Sequence, residues 1–239
     1  MVLYRSMDVY LVPVGDGRYE LYCESLSEAP PEVREGSGLW RRLTDRFTAF
    51  LSALDRAQER LERSGRAAAR LRRRKGWTAR LRMRAVRWLA EKVAEQRLLW
   101  HLRTQREVCA RYPSGLDDDR AMAIIRRTLA ADFNRHRWWL AVNALAGAGS
   151  LVLMPLPGPN VIGFYFAFRI VGHFLSVRGA RQGLDVVTWR LEESPVLAEL
   201  CSAVELPPPE RARVVDEVSR RLGLRRLSLF FQRTAASAA

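Results

Sequence analysis

The chain has 239 residues, with 40 basic and 26 acidic side chains and a formal net charge of +14, long enough for a sizeable core and one or two domains. With 48% hydrophobic residues and only 15 Gly and 11 Pro, it is neither a disordered tail nor a fibrous repeat. Apart from Lys75 and Lys92 every basic residue is arginine, and so positive a surface attracts anionic lipid head groups, nucleic acid or acidic proteins.

Met1 to Tyr10 contains no apolar core of signal-peptide length, so the N-terminus is expected to stay in the cytoplasm. Asp8 to Glu24 (DVYLVPVGDGRYELYCE) shows two short alternating runs around Gly-Asp-Gly, the pattern of a β-hairpin. Pro13 suits an edge strand. After the turn-rich Ala29 to Gly38, residues 39–112 contain apolar positions at helical spacing, Leu43, Phe47, Leu54 and Leu61 among them, and read as a long-helix region. Arg41 to Arg111 holds 21 basic and 7 acidic residues, which equals the whole net charge. Its densest part comprises Arg66, Arg70, Arg72, Arg73, Arg74, Lys75, Arg80, Arg82, Arg84 and Arg87, with no acid from Gly65 to Ala90. This basic surface fits anionic lipid or a membrane, and nucleic acid is the weaker alternative.

After Tyr112-Pro-Ser-Gly115, a helix is expected whose first turn carries Asp117, Asp118 and Asp119; carboxylates there complement the helix N-terminus. From Trp138 to Phe168 there are 31 residues without a formal charge, interrupted in the middle by Pro155, Pro157 and Pro159 before Asn160. The prolines divide this stretch into two apolar legs, Trp138 to Met154 and Val161 to Val177, each about 25 Å if helical and just short of a hydrocarbon core. Each Leu, Ile, Val or Phe favours insertion by about 0.3–0.6 kcal/mol and a central Arg opposes it by about 2.5–3.5, so the second leg only offsets Arg169. Ala144, Gly147, Ala148, Gly163 and Ala167 are small enough to let paired legs approach closely. Arg135, His136 and Arg137 on one flank and Arg178 and Arg181 on the other would place both ends on the cytoplasmic side. A membrane-associated hairpin is expected, spanning or re-entrant, with a buried hairpin of an all-α domain as the alternative. Tyr165, Arg169 and His173 share one face of the second leg.

Past Leu184, DVVTWRLEE reads as helical, and Glu210 to Leu222 forms a helix ended by Gly223, burying Val214, Val215, Val218 and Leu222. Leu224 to Arg233 reads as a docking or interfacial tail, with a packed amphipathic end as the alternative. The fold class is mainly α: a helical protein with an N-terminal β-hairpin (1–30), a basic long-helix region (31–112), a capped helix plus the apolar hairpin at 138–177 (113–184), and a helical C-terminal region (185–239).

The segment MPLPGPNVIGFYFAFRIVGHFLSVRGARQGL, Met154 to Leu184, resembles the mitochondrial K+/H+ exchange-related proteins. The turn ending in Pro159-Asn160, then Tyr165, Arg169 with His173, and Arg178-Gly179-Ala180 carry the resemblance, with weaker similarity at Tyr112-Pro113, the N-terminal hairpin and the C-terminal ERARVVDEVSRRLGL. It implies an inner-membrane protein linked to potassium/proton exchange, as part of the exchanger or as its modulator. This chain looks like a bacterial relative, with both termini cytoplasmic.

A cation exchanger usually needs a membrane-embedded carboxylate to bind the ion or proton, and no Asp or Glu occurs between Phe133 and Leu184. The expected role is therefore accessory or regulatory, with partner subunits or a homo-oligomer supplying any ion pathway; a soluble basic protein binding nucleic acid or an acidic partner is the alternative. Catalysis is not expected, since no P-loop, G-x-G-x-x-G, H-E-x-x-H or G-x-S-x-G occurs. Cys23, Cys109 and Cys201 are too scattered for a disulfide framework or a zinc site, so neither metal nor cofactor is expected.

Overall fold

The Gly15-Asp16-Gly17 corner turns the chain through three successive positive φ values of 114°, 52° and 67°, conformations that glycine adopts freely and aspartate tolerates. It joins β1 (Met7–Gly15) to β2 (Arg18–Tyr22), the expected hairpin. This computed structural model describes residues 7–24, 49, 98–150 and 161–236. The arginine-rich residues of 66–87 and the prolines 155, 157 and 159 lie outside them, as does Asn160.

The hairpin is half of a four-stranded mixed sheet, ordered β2-β1-β3-β4. β3 (Glu107–Pro113) and β4 (Thr188–Ser194) lie where the sequence pattern had pointed to helix. Both alternate with period two: Val108, Ala110 and Tyr112 on one face of β3, Trp189 and Leu191 on the matching face of β4. Short strands become distinct only once a partner satisfies their backbone groups. β1 pairs antiparallel with β2 and parallel with β3, and β3 pairs parallel with β4. β1 is thus an inner strand, contrary to the edge expected from Pro13. Its ladder with β3 ends at Tyr10, so beyond that residue a missing N–H forfeits no bond on the β3 side.

Among the described residues five helices follow β3: α1 (Asp118–Ser150), α2 (Val161–Asp185), α3 (Pro195–Ala203), α4 (Pro208–Leu222) and α5 (Leu227–Ala236). The chain is mainly helical, with the hairpin and mixed sheet at its β part. Asp117 Oδ1 accepts the Arg120 backbone N–H at 2.6 Å, which caps α1 as the aspartate run predicts. Gly223 ends α4 in the left-handed conformation, φ 70°, as the C-terminal glycine predicts.

The residues group into two compact units: Met1–Leu26, Leu102–Phe133 and Ala180–Ala239 in the first, Ser27–His101 and Asn134–Gly179 in the second. In the first, Tyr10, Val12 and Tyr22 on one sheet face pack with Leu197, Leu200 and Ala203 of α3, Val215 and Val218 of α4, and Leu224, Leu227 and Phe231. Leu227 and Phe231 are completely buried, so the C-terminal segment is a packed amphipathic helix and not a docking tail. Glu24 ties the hairpin to that helix by accepting the Tyr22 hydroxyl and the Arg226 backbone N–H, each at 3.1 Å. Val9, Leu11, Val108 and Ala110 alternate to the other sheet face and are fully buried, as are Ala121, Ile125 and Leu129, one turn apart along α1.

In the second unit, α1 and α2 pair antiparallel. Gly147 allows close approach, because a Cβ there would stand 3.3 Å from Ile170 and 3.4 Å from Phe166, whereas Ala144 and Ala148 are exposed and do not serve as the expected contacts. Gly179 is under a stricter limit: a Cβ would fall 1.7 Å from the Leu99 carbonyl oxygen, so the helical residues at 98–102 can cross α2 only over a glycine.

Among the described residues no helix is long and apolar enough to cross a membrane, which corrects the transmembrane expectation. Trp138 to Ser150 is not a separate apolar leg. It continues a 33-residue helix that also carries Asp118, Asp119, Arg120, Arg126, Arg127, Asp132, Arg135 and Arg137.

Candidate functional site

The helix pair concentrates its polar chemistry on the facing sides of α1 and α2. His136 and His173 are 8% and 6% exposed, and their Nδ1 atoms lie 2.9 Å apart. One imidazole must donate its Nδ1 proton and the other accept it, so the two rings hold opposite tautomers when neutral. A second added proton would set two N–H groups against each other. Burial pushes both imidazoles down to about 4; Arg135 adds to the effect on His136, and His136, Arg169 and Arg135 add to it on His173. The pair is therefore neutral near pH 7.

One helical turn along α2, Arg169 lies near two aromatic rings. Its Cζ lies 5.9 Å from the ring centroids of both Trp139 and Tyr165, within cation–π range. Its Nε donates to Asn143 Oδ1 at 3.3 Å, and the Asn143 amide donates to the Trp139 carbonyl at 2.6 Å. Among the described residues no carboxylate pairs with Arg169. On the other side of His173, the Trp100 indole N–H donates to Ser176 Oγ at 3.0 Å and to the Gly172 carbonyl at 3.2 Å.

Of the residues expected at the site, Tyr165, Arg169 and His173 therefore share one face of α2, as their four-residue spacing requires. Pro155, Pro157, Pro159 and Asn160 lie outside the described residues, as do Arg66, Arg70, Arg72, Arg73, Arg74, Lys75, Arg80, Arg82, Arg84 and Arg87. His136, Asn143, Trp139 and Trp100 were not singled out as site residues from the sequence. The hairpin register could have found His136, because it and His173 stand equidistant from the Met154-Pro155 bond and an antiparallel pair brings such positions together.

Among the described residues no group of three or more His, Cys, Asp or Glu side chains could hold a metal ion. A polar cluster of the first unit lies on the sheet face that also carries Tyr10. There the Cys109 thiol donates to Glu192 Oε2 at 3.2 Å and Arg111 lies 3.6 Å from the same oxygen. Burial and Glu192 both raise the Cys109 thiol above its ordinary range, which keeps it protonated and unreactive.

The arrangement on α1 and α2 can hold an anion against Arg169 and keeps the histidine pair unprotonated near pH 7, and among the described residues it offers no carboxylate to a potassium ion. No curated protein and no solved structure matches the chain. The sequence pattern of the family described as mitochondrial K+-H+ exchange-related matches residues 8–186, from the start of β1 through the end of α2, and the chain belongs to that family.

Proposed function

We propose that this protein is a non-enzymatic accessory or regulatory component of potassium/proton exchange, held at the cytoplasmic face of a bacterial inner membrane by anionic lipid, and that it is not itself the ion pathway. The observation that carries this reading is the polar inventory of the helix pair. Its buried polar groups include two neutral histidines and Asn143, with the partly buried Arg169 bonded to Asn143 beside them, in a stretch without any Asp or Glu between Phe133 and Leu184. A cation moving along these residues would meet an arginine that no carboxylate among the described residues neutralises. Family membership supplies the link to exchange, and the net charge of +14 supplies the attraction to an anionic leaflet.

The test is reconstitution of the purified chain into potassium-loaded vesicles containing a pH indicator, alongside deletion of its gene. Expected are no potassium-dependent proton movement above that of empty vesicles, and an altered potassium/proton exchange rate in membranes from the deletion strain that the wild-type chain restores. Exchange by the purified protein alone would overturn the accessory role, and unchanged exchange in the deletion strain would overturn any role.

A further inference from the structure

We propose that the outer face of the α1–α2 pair is a docking surface for an anionic bilayer, in which Arg169 takes a lipid headgroup phosphate while Trp138 and Leu145 enter the interface beside it. The proposal rests on the membrane-surface reading above and names the part of the molecule that makes the contact.

Trp138 and Leu145 are 68% and 75% exposed, and they stand seven residues apart, which puts them in one row along α1. Arg135 and Trp139 form the neighbouring row, between that pair and α2, where Tyr165 is 51% exposed. A soluble surface rarely gathers two tryptophans, a tyrosine and a leucine so closely without a partner. Tryptophan and tyrosine are the residues that settle at headgroup depth, with an apolar body and a hydrogen-bonding tip.

The charge on this face fixes which partner it fits. Arg169 has its Nε occupied by Asn143 and its Cζ 5.9 Å from the ring centroids of Trp139 and Tyr165. The Nε bond to Asn143 steers the guanidinium and leaves the Nη groups for a ligand. A planar fork of N–H donors without a carboxylate matches phosphate. Arg135 is exposed on the adjacent row, and no acid occurs from Asn134 to Leu184 to repel a phosphodiester. A second copy of this chain is the less suitable occupant, because pairing the face with itself would set arginine against arginine.

The experiment is flotation of the full-length chain with phosphatidylcholine vesicles, with and without phosphatidylglycerol, at two salt concentrations. Wild type is expected to bind the anionic vesicles, and Arg169→Gln to bind them about fivefold more weakly, with Arg169→Lys recovering only part of the loss because lysine lacks the fork. Trp138→Ser combined with Leu145→Ser, both exposed and harmless to packing, is expected to weaken binding about tenfold and to abolish the part that survives high salt. Trp138 fluorescence, read as the difference between wild type and Trp138→Ser, should shift to the blue on binding.

If wild type binds anionic vesicles and neither variant differs from it, this face is not the docking surface, while membrane attachment through another basic region stands. If wild type fails to bind anionic vesicles at all, both the surface and the membrane-attachment reading fall. Competition by soluble glycerophosphate that removes all binding, with no dependence on Trp138 or Leu145, would assign Arg169 to a free phosphate compound and overturn the lipid assignment. A lipid-free dimer that the Trp138→Ser and Leu145→Ser changes dissociate, with vesicle binding intact, would assign the face to a second copy instead.

Discussion

In the sheet-bearing unit, Arg18, Arg111, Arg181, Arg220 and Arg221 each lie against a carboxylate: Asp16, Glu192, Asp185, Glu217 and Glu199 respectively. Arg211 instead donates to the Val204 and Leu206 carbonyls. In the helix-pair unit, Arg169 meets an amide and two aromatic rings, and two histidines meet each other. The exposed ion pairs of the first unit contribute little to stability, about 0–1 kcal/mol each, but they neutralise its surface locally. Arg169 of the second unit has no carboxylate partner among the described residues, which suits it to an external anion. The comparison separates arginines closed off by internal carboxylates from one held by an amide and aromatic rings.

The strongest way to break that contrast is through the two packing cores. Phe231→Ala removes the largest fully buried side chain of the sheet unit and is expected to cost about 3–5 kcal/mol, read as a lower midpoint of chemical denaturation. Should the loss be under about 1 kcal/mol, the C-terminal helix is not part of the core. Gly179→Ala probes the other unit: a methyl group 1.7 Å from the Leu99 carbonyl forces the crossing apart, at an expected cost of about 3 kcal/mol. Stability equal to wild type would show that residues 98–102 do not cross α2 there.

A pH series sharpens the electrostatic side. His136 and His173 are held near 4 in the folded chain against about 6.5 when unfolded. Between these values the unfolded chain binds more protons, so stability rises with pH, is fully present above about 6.5 and is lost as pH falls toward 4. Thermal midpoints measured across that window should show the acid decline, and the His136→Gln, His173→Gln double variant should flatten it. An unchanged decline in the double variant would place its origin in other groups. The smallest expected effect is Asp117→Ala, which removes the cap of α1 and is expected to cost about 1 kcal/mol, measured by the same melts at neutral pH; a loss indistinguishable from zero would mean that water replaces the cap.

Legibility in the sequence followed the range of the interactions. Gly15, Asp16 and Gly17 specify the hairpin because a left-handed backbone is a property of the residues that adopt it, and Asp117 and Gly223 mark helix ends for the same local reason. β3 and β4 were hidden in segments read as helical, because EVCARYP and TWRLEES are short and their ladder partners lie far away in sequence. The membrane reading of 138–154 drew on an uncharged run, whereas the observed helix begins at Asp118 and joins that run to a charged half.

At the candidate site, the four-residue spacing of Tyr165, Arg169 and His173 gave the shared face, since helix geometry repeats every 3.6 residues. The sequence by itself determined the charge of the chain, the absence of acids between Phe133 and Leu184, the turn and cap positions and the face of α2. Only the tertiary structure decided that His136 pairs with His173 across 37 positions, that Asn143, Trp139 and Tyr165 meet Arg169, and that Trp138 and Leu145 remain uncovered. Composition and local backbone preference are written residue by residue, whereas contact between distant side chains depends on how antiparallel helices register and on what the rest of the fold leaves exposed.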